Sequence, residues 1–146
     1  MHAETWLALR NFDWQAHTDR GRREADRAVM RRVIDPDAPL DNRARARLEK
    51  LRSAAYRATL ARVLRQNLEL GAARSRLAPP VARLLARNPA DATLIAAGLE
   101  GGDPDPRAVI ETERLLEAAV PSPERLAWIV RLLAPSRAPA SVESIV

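Results

Sequence analysis

Five cationic side chains offer the clearest chemistry in this sequence: Arg43, Arg47, Lys50, Arg57 and Arg65. A guanidinium is a permanently charged planar fork that binds phosphate or carboxylate through paired, charge-assisted hydrogen bonds. At about 100° per residue of α-helix, Arg43, Arg47, Lys50 and Arg57 fall within about 80° of one another, with Ala54 and Ala61 between them. Such a row can meet successive phosphates of a DNA or RNA backbone, positioning it while reading little of its sequence. Tyr56 is the only aromatic residue in the segment, and there is no helix-turn-helix glycine turn or zinc-finger spacing. Base reading and stacking on single strands are therefore unsupported. The same arginines could also meet acidic patches, either on residues 100–117 or on another protein, with their stems lying over apolar surface.

Other chemistry is sparse. His17 stands four residues after Asp13, so the two can share a helix face, but one Asp-His pair without further ligands does not make a metal or acid-base site. Glu111, Glu113 and Glu117 stand among Arg107 and Arg114 at i, i+3 and i, i+4 spacings, which reads as a solvated, ion-paired helix surface. No second acidic cluster accompanies them to form a di-metal bundle site. Gly101-Gly102-Asp103-Pro104-Asp105 lacks the ligand spacing of a calcium loop and reads as a capped turn. No glycine-rich phosphate loop is present, and the serines fall in caps, the tail and arginine-rich segments. The expectation is a non-enzyme with no metal and no small-molecule cofactor.

The cations belong to a longer stretch, residues 41–70, DNRARARLEKLRSAAYRATLARVLRQNLEL. It has no Gly or Pro, opens on Asp41 as an N-cap and stops before Gly71, so it reads as one long helix of roughly 45 Å. Residues 41–76 hold ten basic side chains against three acidic, +7 in all; the first forty residues sum to zero and residues 77–146 to −2. Leu48, Leu51 and Ala55 make an apolar stripe in the first half, whereas Leu60, Val63, Leu64 and Leu68 imply deeper packing in the second.

Around this segment the chain reads as helices throughout. Residues 3–17 carry Trp6, Phe12 and Trp14 on more than one helix face, as a lid on the core or a partner-binding surface. A second helix spans about 22–34, and DPDAP at 35–39 is a turn. After Pro79 and Pro80, Asn88-Pro89, Asp105-Pro106 and Ser122-Pro123 recur at intervals of seventeen residues. Each joins an N-cap residue to proline at the first helical position. That spacing suits either a degenerate helical repeat or an ordinary run of four short helices over 79–134.

The expected architecture is an all-α bundle of six to seven helices. It has one long central helix and a C-terminal array of short antiparallel helices, in a single domain over 1–134 with a flexible tail at 135–146. Cysteine is absent, no apolar run is long enough to cross a membrane, and the first residues lack a basic leader. The expected setting is thus the cytoplasm. The expected partners are other protein subunits and, through the basic face, DNA or RNA, with no membrane. The alternative is a scaffold that binds protein alone.

Overall fold

The computed structural model describes residues 20–118 and 121–134. Among these the chain is all helical, with seven helices and no strand, as its composition and periodicity imply. The helices are α1 (20–34), α2 (Asn42–Arg52), α3 (Ala54–Leu70), α4 (Pro79–Arg87), α5 (Pro89–Leu99), α6 (Pro106–Leu116) and α7 (Pro123–Leu133). Trp6, Phe12, Trp14, Asp13, His17 and the tail lie outside the described residues. The chain divides into two compact units, Met1–Glu49 and Lys50–Val146, with the boundary inside α2.

In the first unit, α1 buries Ala25 and Val29, four residues apart on one face, and leaves Arg23, Arg27 and Arg31 exposed on another. The DPDAP turn closes through the Asp37 amide, which donates to Asp35 Oδ1 at 3.0 Å, and through Arg32, whose Nη1 donates to the Ala38 carbonyl at 2.7 Å. Asp41 caps α2 as expected, accepting from the Ala44 amide at 2.8 Å.

The expected single helix over 41–70 is two helices. Ser53 sits between them in extended backbone (φ −65°, ψ 120°), and its hydroxyl accepts from the Tyr56 amide as the N-cap of α3. Arg57 supplies the other half of the break: its Nη2 donates to the Arg52 carbonyl at 3.3 Å, satisfying an acceptor left orphaned at the end of α2. At the far end α3 stops at Gly71, whose φ of 77° favours glycine and whose amide turns back to the carbonyls of Asn67 and Leu68.

In the second unit α5, PADATLIAAGL, is small or apolar on most sides, and α3, α4 and α7 all pack on it. Gly98 allows the closest approach: a Cβ there would lie 2.8 Å from Leu133 Cδ1 and 3.0 Å from Leu133 Cβ. Leu64, Val81, Ile95, Leu99, Val109, Ile110, Leu126 and Ile129 fill the core.

The proline-headed helices α5, α6 and α7 each run eleven residues, and Asp105 and Ser122 cap theirs by accepting from the amides of Arg107 and Arg125. Asp105 also binds the Arg107 side chain, and this hydrogen bond holds that guanidinium above its ordinary pKa. Asn88 behaves differently: its amide side chain donates to the Leu84 carbonyl at 2.9 Å, closing α4 rather than opening α5. Among the described residues α5 and α6 share little contact although they are consecutive, while α7 packs on both. A solenoid would stack each unit on the next, so the interval of seventeen reflects equal helix lengths in an ordinary bundle.

Candidate functional site

Each of the five cationic side chains expected to form an open row has a counterpart in its own chain. Arg47 is buried, and its Nε donates to Asp26 Oδ1 at 2.6 Å between α2 and α1. Arg43 is exposed, but its guanidinium lies against Gly21, where a Cβ would come within 2.6 Å of Nη1. Lys50 is exposed, with its ammonium 4.7 Å from the centre of the Tyr56 ring. Arg65 pairs with Glu100 at the surface.

Arg57 departs furthest from the expected row. It is 4% exposed, and its Nη1 donates at 2.6 Å to the carbonyls of both Leu99 and Gly101. One guanidinium thus serves the ends of α5 and α2, where unpaired carbonyls and the negative end of the helix dipole gather. Its Nε is buried without a hydrogen-bond partner. The expected common face of Arg43, Arg47, Lys50 and Arg57 fails for two reasons. The helical phase ends at Ser53, and Arg47 and Arg57 point inward.

The acidic segment also differs from its expected role as a solvated surface. Glu111 and Glu113 are buried, while Glu117 is exposed. Glu111 accepts from Arg114 at 3.1 Å and from Arg125 at 2.5 Å, so it ties α6 to α7. Glu113 accepts from the Tyr56 hydroxyl, tying α6 to α3. Each buried carboxylate is thereby given the donors that burial demands. Among the described residues no group of three or more His, Asp or Glu side chains comes together as a metal set.

Composition alone did not single out two surface features. Trp128 on α7 is 41% exposed, with the Arg131 guanidinium 5.5 Å from the centre of its ring. The second lies where α3 hands over to α4. A notch of about 210 Å³ opens there to solvent, lined by Leu68, Ala72, Ala82, Leu85 and Ala86, with Asn67 and Ser75 as its polar members. The clue in the sequence was the absence of any acid between Glu69 and Asp91, across four arginines. No protein-family model, curated protein or solved structure matches this chain.

Proposed function

We propose that this chain is a non-enzymatic helical subunit or adaptor whose partner is another protein. The supporting observation is the disposal of the cationic row, since all five of its groups meet counterparts within the chain. Two of them, Arg47 and Arg57, are buried too deeply to reach a polyanion. Trp128 with Arg131 across its ring adds to this reading, because exposed Trp and Arg are the residue types on which protein contacts most depend.

A second reading keeps a phosphate-backbone contact. Arg43, Lys50 and Arg65 remain exposed, and a surface ion pair such as Arg65 with Glu100 is worth only about 0–1 kcal/mol, so it opens readily for a stronger anion. Titrating a labelled oligonucleotide across a salt series separates the two readings. A phosphate-binding face loses about 0.9 from the log–log salt slope for each contact removed in an Arg43→Ala, Lys50→Ala, Arg65→Ala variant. The protein-partner reading expects that slope to be unchanged. It also expects a photocrosslinking residue placed at Trp128 to yield protein adducts in cells, and nucleic-acid adducts alone would overturn it.

A further inference from the structure

The notch between α3 and α4 has three properties that together specify an occupant. The first is rigidity. Asn67 is buried on α3, and its side-chain oxygen accepts from the Ser75 hydroxyl at 2.8 Å and from the Arg76 amide at 2.7 Å. Its side-chain amide donates to the Val63 carbonyl at 2.8 Å, and the Ser75 hydroxyl accepts in turn from the Leu77 amide. One asparagine thus fastens the 71–78 connection to the helix it leaves, and the notch exists before anything enters it.

The second property is apolar chemistry at the floor. Leu68, Ala72, Ala82, Leu85 and Ala86 present methyl and methylene groups, and Leu70 beside them is 41% exposed. No aromatic side chain lines the notch.

The third is charge at the rim. Arg74 and Arg76 flank the lining residue Ser75, Arg83 follows Ala82, and Arg87 follows Ala86. Arg83 and Arg87 are one helical turn apart, so they rise from the same flank of α4. All four are exposed, and among the described residues their guanidinium groups take part in no ion pair or hydrogen bond. Glu69 is the one acid of the 66–90 stretch.

The geometry points to this notch as the docking site for an acidic segment of a partner protein, one that seats a single aliphatic side chain on the floor and sets flanking Asp or Glu against the four arginines. The inference deepens the protein-partner reading and rests on it. A nucleic-acid backbone would satisfy the rim but has no aliphatic side chain for the floor, and single strands look for aromatic platforms that the lining lacks. An acidic helix or extended peptide with one aliphatic anchor satisfies both.

The test uses the full chain and a labelled glutamate-rich peptide carrying one central leucine, followed by fluorescence anisotropy and by amide chemical shifts. The expected result is saturable binding with shift changes centred on Asn67, Leu68, Ala72, Ser75 and Ala86. An Arg83→Glu, Arg87→Glu variant should weaken it by roughly tenfold or more, as should replacement of the peptide's leucine by alanine. Ala86→Trp, which fills an exposed part of the lining and leaves the rim intact, should weaken it similarly. The folded spectrum of each variant shows that loss of binding is not loss of structure. Three results overturn the proposal: no binding, binding indifferent to the leucine, or displacement by an oligonucleotide that binds the same residues more tightly. If the peptide fails while photocrosslinking at Trp128 still yields protein adducts, the notch is eliminated and the broader reading stands.

Discussion

Arginine does unusual duty in this chain, since several of its guanidinium groups donate to backbone carbonyls and carboxylates of the same fold. Arg32 reaches Ala38, Arg57 reaches Arg52, Leu99 and Gly101, and Arg47 reaches Asp26. The forked, permanently charged head suits these tasks because one group can satisfy two or three acceptors at once. Burial of the Arg47–Asp26 pair makes the two residues interdependent. Removing one partner strands the other's charge in a poorly solvated site, whereas replacing both with apolar groups of similar size removes the problem. Arg47→Ala should therefore lower the unfolding free energy by about 3–5 kcal/mol. The double substitution Arg47→Met, Asp26→Leu should come within about 1 kcal/mol of the parent or exceed it. Urea unfolding of both proteins checks this, and a single variant as mild as an ordinary surface change would contradict the pairing.

At the level of elements, much of the fold could be read from the sequence. Asp41, Asp105 and Ser122 cap the helices that follow them, Gly71 ends α3, and four helices occupy 79–134, because caps and prolines act within one turn of chain. The division between α2 and α3 was not legible. Ser costs a helix only about 0.5 kcal/mol relative to Ala, too little to stand out among strong helix formers. What accompanies the break is Arg57, whose other acceptors lie 42 and 44 residues further along the chain. Gly98 was likewise silent in the sequence, since its reason is Leu133 on another helix. Gly98→Ala should destabilise by about 1–3 kcal/mol through overpacking, despite a gain of up to about 1 kcal/mol in helix propensity. The cost should shrink when Leu133→Ala is added, a coupling that a double-mutant cycle measures. Equal or greater stability for Gly98→Ala alone would show that the α5–α7 contact is looser than described.

At the scale of the whole molecule, the excess of +7 over residues 41–76 was visible in the sequence, but its distribution between interior and surface was not. Charge counts and helical phase treat each cation as facing water. They could not register that Arg47 and Arg57 turn inward, or that Arg74, Arg76, Arg83 and Arg87 stay outside around an apolar floor. The candidate site accordingly moves from the middle of the 41–70 stretch to its end and the helix beyond. That relocation depends on Arg57 being a structural donor rather than a ligand-binding group, and equilibrium urea unfolding of Arg57→Ala tests it most directly. Three carbonyls lose their donor, at about 1–3 kcal/mol for each one left unsatisfied in the interior. The expected result is a loss of about 3 kcal/mol or more, only partly restored by Arg57→Lys, whose ammonium lacks the fork. A variant within about 0.5 kcal/mol of the parent would contradict the account, returning Arg57 to the surface and the cationic row to the solvent.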